Sequence, residues 1–130
     1  MKLFLDANVL FSAANADSAI ARFLHLLREK HSLVTSAYAY AEAERNIALK
    51  RPKWMEGFRH AMAGVTLVPD MPLRIDVTLA DKDRPILGSA IASGCDYLLT
   101  GDKKDFGHLY GKAFGGVTVV SYTMLAGLVL

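Results

Sequence analysis

Short apolar runs alternate along this chain with segments in which apolar residues recur every three or four positions. Five such runs predict buried strands, at 2–5, 32–35, 65–68, 97–100 and 117–120. The intervening periodicity predicts helices at 17–30, from an N-cap at Ser36 to about Leu49, from Pro52 to Gly64, from Pro85 to Gly94, and at the C-terminus. Continuously apolar strands that alternate with helices are typical of a parallel sheet covered on both faces, so the pattern predicts an α/β fold.

Two segments resist this assignment. No element is predicted for the Ser-, Ala- and Asn-rich stretch that follows Asp6. The segment 69–80 contains Pro72, which argues against a regular element across it, and leaves Leu73–Leu79 open between a helical turn and an extended piece.

Composition favours one domain spanning residues 1–130. The chain is 52% hydrophobic, and its length is sufficient for a core without disulfides. The apolar C-terminal run, 122–130, is far shorter than the roughly 20 residues that cross a bilayer, so we expect no membrane partner. The single cysteine, Cys95, fits a reducing compartment, and we expect a cytoplasmic protein. The surplus of apolar residues suggests a homodimer.

Acidic residues fall where the predicted strands end. Asp6 directly follows the first strand, and Asp102 follows the fourth, with Asp105 three residues later. Asp83 begins the helix before that strand, and Glu42 lies in the second turn of an earlier helix. Because ligands bind at the carboxyl ends of parallel strands, we expect these five acids to meet at one edge of the sheet.

Carboxylates that cluster repel one another unless a cation lies among them, and Mg²⁺ or Mn²⁺ suits an all-oxygen site. Such an ion can bind phosphate oxygens and activate water, as phosphodiester hydrolysis requires. Each acid also has a structural interpretation. Asp83 or Asp81 can cap a helix, and Asp102 can be a turn residue. On spacing alone, Glu44 is as good a candidate for the acidic site as Glu42.

Four segments resemble, in order, the motifs of the PIN-domain family. They are Leu5-Asp-Ala-Asn-Val-Leu10, Ser36-Ala-Tyr-Ala-Tyr-Ala-Glu42, Asp83-Arg-Pro-Ile-Leu-Gly-Ser-Ala90 and Leu99-Thr-Gly-Asp-Lys-Lys-Asp-Phe106. The resemblance implies a three-layer α/β/α fold with a central parallel sheet. It also implies a Mg²⁺- or Mn²⁺-dependent ribonuclease, with VapC-type toxins, which pair with a small antitoxin and are commonly dimeric, as one class of this size.

The same resemblance implies roles for individual residues. Asp6, Glu42, Asp83 and Asp102 correspond to the core catalytic and metal-binding acids, and this favours Glu42 over Glu44. Asp105 matches a less constant acidic position, and Asn8 and Thr100 would be polar support near the metal.

Nucleic-acid binding is compatible with the charge once the site acids are set aside. The chain has 15 Lys and Arg against 13 Asp and Glu, a net charge of +2. Without the five site acids, 8 acidic residues face those 15 basic ones, a net charge of +7. Candidate RNA contacts are Arg45, Lys50, Arg51, Lys53, Lys103 and Lys104, for which an ordinary solvated surface is the alternative.

Two other functions remain on the sequence alone. One is a PIN-like protein that binds RNA or a partner without cleaving. The other is a phospho-receiver domain, which is disfavoured because a lone Asp6 follows the first strand and no Lys follows Val120.

Overall fold

Six strands and seven α-helices make up the computed structural model, which describes residues 1–130. The strands are β1 (Lys2–Leu5), β2 (Ser32–Ser36), β3 (Val65–Val68), β4 (Tyr97–Leu99), β5 (Ala113–Phe114) and β6 (Val117–Val120). The helices are α1 (Ala7–Ala13), α2 (Ala19–Leu27), α3 (Ala37–Lys50), α4 (Met55–Met62), α5 (Arg84–Ala92), α6 (Lys103–Phe106) and α7 (Tyr122–Val129). Two 3₁₀ turns, Pro52–Trp54 and Gly107–Leu109, precede α4 and follow α6.

The strands form one sheet in the order β3-β2-β1-β4-β6-β5. Five strands run parallel, which confirms the predicted α/β/α class with a central parallel sheet. The sheet is nevertheless not wholly parallel, because β5 pairs antiparallel with β6 at one edge. Gly115 and Gly116, with φ of 56° and 87°, make the two-residue turn between them, a conformation that favours glycine at both positions.

All five predicted helices are present, as α2, α3, α4, α5 and α7, and several of their ends are corrected. The stretch after Asp6 is helical (α1), whereas the sequence predicted no element there. Helix α2 is shorter than the predicted 17–30, and Ser18 rather than Asp17 caps it through a bond from Ala21 N. Pro52 begins a 3₁₀ turn, with α4 starting only at Met55.

The segment 69–80 between β3 and α5 forms no helical turn, and none of its residues pairs as a strand. Its backbone is irregular, and side chains from α5 hold it in place. The Arg84 guanidinium donates to the carbonyls of Val77, Leu73 and Ile75 at 3.0, 3.3 and 3.4 Å. Ser89 Oγ accepts from Met71 N at 2.9 Å.

Buried apolar residues from every layer form one core cluster. β1 lies in the middle of the sheet, and Leu3, Phe4 and Leu5 are fully buried. Asp6 immediately follows this buried segment and is itself buried. None of the helices combines the length and apolar character needed to cross a membrane.

Candidate active site

The end of β1 and the end of β4 meet at the point where the strand order reverses. From β1 the chain continues to β2 on one side of the sheet, and β4 later pairs with β1 on the other. In open parallel sheets a crevice forms outside the carboxyl ends of the strands at such a point. Asp6 and Thr100 lie there, and Asp6 N donates to Leu99 O at 3.1 Å, which joins the two strand ends.

Asp6 is almost fully buried and its carboxylate accepts three hydrogen bonds. Oδ1 accepts from Ala7 N at 2.7 Å, so Asp6 also caps α1. Oδ2 accepts from Thr100 Oγ1 at 2.8 Å and Asn8 Nδ2 at 3.0 Å. Burial nonetheless raises the pKa of Asp6 to about 6, because desolvation outweighs these bonds and the charges of Asp83 and Glu42 add to it.

Asn8 and Thr100 are therefore placed against Asp6, where the family resemblance assigned polar support. Asn8 Oδ1 also accepts from Gly101 N at 2.9 Å, and Thr100 Oγ1 accepts from Asp102 N at 3.1 Å. These bonds tie the Thr-Gly-Asp turn to the start of α1. A side chain at Gly101 would meet Tyr122 Cε2 at 2.9 Å, so the turn approaches the ring of Tyr122 as closely as glycine allows.

Asp83 is buried at the start of α5, yet its side chain makes no capping hydrogen bond. The capping interpretation of this residue is thus not supported. Its Oδ2 is buried without a hydrogen-bond partner and has the Lys82 ammonium 3.3 Å away. Burial raises the pKa of Asp83 to about 6, although the nearby Lys82 charge opposes the shift.

Asp102 and Asp105 begin α6. Asp102 is half-buried, and its Oδ1 accepts from Asp105 N at 3.0 Å, so it also caps this short helix. Asp105 points elsewhere, since its Oδ2 accepts from Lys82 Nζ at 2.7 Å. That contact holds the pKa of Asp105 below its ordinary value.

One cleft of about 320 Å³ brings the four core acids of the resemblance together. Its lining includes Asp6, Glu42, Asp83 and Asp102, together with Asn46, Lys50 and Lys82 among its other residues. Asp105 does not line it. Glu42 belongs to α3, and Asn46 and Lys50 lie one and two turns further along that helix, at the i+4 and i+8 spacing that shares a face.

Sequence reasoning missed Lys82 and Asn46. The helical spacing from Glu42 is a signal that could have found Asn46, and the position of Lys82 directly before Asp83 is a signal that could have found Lys82. Of the predicted RNA contacts, only Lys50 lines the cleft. The others are exposed outside its lining: Arg45, Arg51, Lys53, Lys103 and Lys104.

A divalent cation fits the chemistry of this donor set. All the acids offer hard oxygen ligands, and Asp83 Oδ2 is a buried oxygen without a hydrogen-bond donor. As the side chains stand, no three or more of the His, Cys, Asp and Glu residues form a group that could hold an ion. The contacts explain this, because Asp6 faces Asn8 and Thr100 while Asp83 and Asp105 face Lys82.

Comparison with known families identifies the class. A family model described as a PIN domain matches residues 2–104. The chain therefore belongs to the PIN-domain family, and the resemblance drawn from the four motifs is confirmed. A comparison with curated proteins found no match.

Several solved structures share the fold at low sequence identity. VapBC2 from Rickettsia felis, bound to a DNA fragment from its promoter, matches with a TM-score of 0.69 and 16% identity over 94% of this chain and 99% of that one. A toxin–antitoxin complex from Klebsiella pneumoniae matches with a TM-score of 0.62 and 18% identity over 89% of this chain and 95% of that one. Mycobacterium tuberculosis VapC20 is described as a toxin that cleaves the sarcin–ricin loop. It matches with a TM-score of 0.55 and 13% identity over 78% of this chain and 91% of that one.

Proposed function

We propose that this protein is a divalent-metal-dependent endoribonuclease whose site acids are Asp6, Glu42, Asp83 and Asp102. The observation that carries the proposal is their common cleft, which four segments distant in the sequence supply at one sheet edge. Membership of the PIN-domain family supports it. The raised pKa values of Asp6 and Asp83 support it as well, because carboxylates whose ionised form is destabilised by burial are costly unless they have a function.

In this proposal, Asp6, Asp83 and Asp102 hold Mg²⁺ or Mn²⁺, and Glu42 positions a second ion or the attacking water. Asp105, which lies outside the cleft, would contribute only if its contact with Lys82 opened. A bound ion supplies positive charge for the phosphodiester and a lowered pKa for water. Asn8 and Thr100 keep the Asp6 carboxylate oriented, and in-line hydrolysis would leave a 3′-hydroxyl and a 5′-phosphate.

RNA is the proposed substrate class, and α3 offers a path for it. Lys50 lies on the same helical face as Glu42, about 12 Å along the axis at 1.5 Å per residue. An ammonium at that distance can contact the RNA backbone away from the scissile phosphate while Glu42 stays at the site. Lys103, Lys104, Arg45, Arg51 and Lys53 would add general attraction from outside the cleft.

The test is cleavage of single-stranded RNA by the purified protein with Mn²⁺ or Mg²⁺, with excess EDTA as the metal-free arm. We expect activity that EDTA removes and that Asp6→Asn abolishes while its circular dichroism remains native. Asp81→Asn is the matched control, because Asp81 is an exposed acid in the same loop as Asp83. Undiminished cleavage by a pure Asp6→Asn preparation would exclude the assigned site.

The alternative proposal, binding without cleavage, makes the opposite prediction in the same assay. A wild-type protein that retains RNA by filter binding, yet leaves it intact with either ion, would favour it. The buried carboxylate of Asp83, whose Oδ2 contacts only the Lys82 ammonium, argues for the nuclease, since a purely binding surface has no need of a buried acid.

We further propose that the protein acts as the toxin of a toxin–antitoxin pair in the cytoplasm, with a small antitoxin as partner. The support is the fold shared with several proteins from toxin–antitoxin complexes. A gene for a small DNA-binding protein directly upstream would support this role. Growth arrest on expression, relieved by that gene and absent with Asp6→Asn, would establish it.

A homodimer is the proposed assembly. Several large apolar side chains are exposed, among them Leu49 at 75% and Leu67 at 51%. Light scattering after size exclusion should give a mass near twice 14.2 kDa. A mass of one chain across the micromolar range would exclude the dimer without affecting the proposed chemistry.

A further inference from the structure

Lys82 lies between two acids of the candidate site. Its ammonium is 2.7 Å from Asp105 Oδ2 and 3.3 Å from Asp83 Oδ2. The second of these oxygens is buried and has no hydrogen-bond partner. The ammonium is therefore the positive charge that Asp83 contacts, at the oxygen which a metal ion would need.

The backbone of Lys82 is fixed while its side chain remains accessible. Tyr38 Oη donates to Lys82 O at 3.0 Å, and the next residue is anchored by Asp83 N donating to Ala80 O at 2.9 Å. The Lys82 side chain is 59% exposed. Its ammonium can thus leave Asp83 for solvent, or stay with Asp105 alone, without disturbing the core.

We propose that Lys82 is a built-in counter-ion of the acidic site, which a divalent cation displaces from Asp83, so that Lys82 sets the affinity for that cation. The inference rests on the proposed function, because it takes Asp83 as a metal ligand. Lys82 and the ion compete for one oxygen, and the ammonium also repels an ion held by Asp6 and Asp102 nearby. Lys82 is in this view a positioning residue.

Loss of the Lys82 ammonium should have opposite effects in the metal-free and the metal-bound protein. Without metal, loss of the ammonium leaves Asp83 and Asp105 with an uncompensated repulsion, so the fold should be weakened. With metal, the same loss removes a competitor and a like charge, so the ion should bind more tightly. A lysine with a merely structural role would produce the first effect without the second.

The experiment measures Mn²⁺ binding by isothermal titration calorimetry, and thermal unfolding in EDTA at pH 7.5. The proteins are the wild type, Lys82→Gln, Lys82→Arg and the control Lys30→Gln. Lys30 is exposed and precedes β2, at the amino ends of the parallel strands, whereas the site lies at their carboxyl ends. The Lys30→Gln substitution changes the net charge by the same amount as Lys82→Gln.

We expect Lys82→Gln to lower the Kd for Mn²⁺ roughly three- to tenfold, a size set by one screened unit charge a few ångströms from a divalent ion. Its unfolding midpoint in EDTA should fall below that of the wild type. Lys82→Arg and Lys30→Gln should both stay near the wild type in affinity.

Unchanged or weaker Mn²⁺ binding by Lys82→Gln would overturn the inference while leaving the nuclease proposal intact. Equal tightening by Lys30→Gln would also overturn it, since the effect would then be one of net charge. A wild type that binds no Mn²⁺ would instead overturn the proposed function, and the inference with it.

Discussion

Asp6 is a nearly fully buried carboxyl group at the end of the central strand β1. Its three hydrogen bonds compensate only part of the desolvation, and the pKa therefore rises to about 6 from 3.8. A carboxylate whose folded pKa is raised destabilises the fold when it ionises. In the metal-free protein this destabilisation is absent below about pH 4, grows as the pH rises, and is complete above about pH 6.

The first prediction follows from that sign. In EDTA, Asp6→Asn should gain stability relative to the wild type between pH 4 and pH 7, because the amide never ionises. A shift of about two pKa units corresponds to at most about 3 kcal/mol. The amide also leaves Asn8 Nδ2 facing a donor, a penalty that is the same at every pH and does not alter the trend.

Chemical denaturation of both proteins at pH 4.5 and pH 7.5 measures this difference. Asp81→Asn, which alters an exposed acid, should run parallel to the wild type. If Asp6→Asn also ran parallel, the carboxylate would not be destabilising in its folded environment.

At the scale of elements, the sequence predicted those that its apolar pattern defines and missed those that depend on tertiary contacts. The five predicted strands were predictable because each is a short, mainly apolar run, although β3 is only partly buried, with Thr66 and Leu67 exposed. Helix α1 was missed because it has only seven residues, with Asn8 and Ser12 among its polar positions. Strand β5 has two residues, and its pairing depends on the turn at Gly115 and Gly116.

The candidate site divides in the same way. The meeting of Asp6, Asp83, Asp102 and Glu42 was predictable, because parallel strands align their carboxyl ends. The ion pair between Asp105, which does not line the cleft, and Lys82, which does, was not, since it depends on where one flexible side chain meets opposite charge. The roles of all these residues remain predictions.

The irregular segment before α5 yields a second prediction. The segment has no backbone pairing of its own, and the Arg84 guanidinium donates hydrogen bonds to three of its carbonyls. The shortest, to Val77 O, is 3.0 Å. Arg84→Met keeps the apolar length of the side chain and removes every donor. We expect unfolding free energy to fall by about 1–3 kcal/mol and thermolysin to cleave between residues 73 and 79 at an increased rate.

Mass spectrometry of the first fragments identifies the cleavage site. Arg59→Met, at an exposed position on α4, serves as the control and should leave both the rate and the site of cleavage unchanged. Faster cleavage spread over the whole chain would mean that Arg84 supports global stability rather than this segment.

At the scale of the whole molecule, the small net charge is the sum of two opposing regions. The cleft gathers four of the acids and only two lysines, Lys50 and Lys82. The remaining basic residues lie outside its lining, most of them exposed, whereas Lys2, Arg28 and Arg84 are partly buried. A polyanion would thus be attracted by the molecule as a whole and repelled by the metal-free cleft, and the proposed cation would offset that repulsion at the scissile phosphate.

The last prediction concerns the route of RNA across this surface. The fluorescence anisotropy of a labelled single-stranded RNA, measured with the Asp6→Asn protein to prevent cleavage, gives affinity as a function of salt. Lys50→Gln in that protein should weaken binding and reduce the slope of log K against log salt by about 0.7, the value for one phosphate contact on a single strand. Lys53→Gln removes the same charge outside the cleft lining and should leave the slope closer to its original value. The reverse ranking would place the RNA across the 3₁₀ turn that contains Lys53, rather than along the face of α3 that Lys50 shares with Glu42.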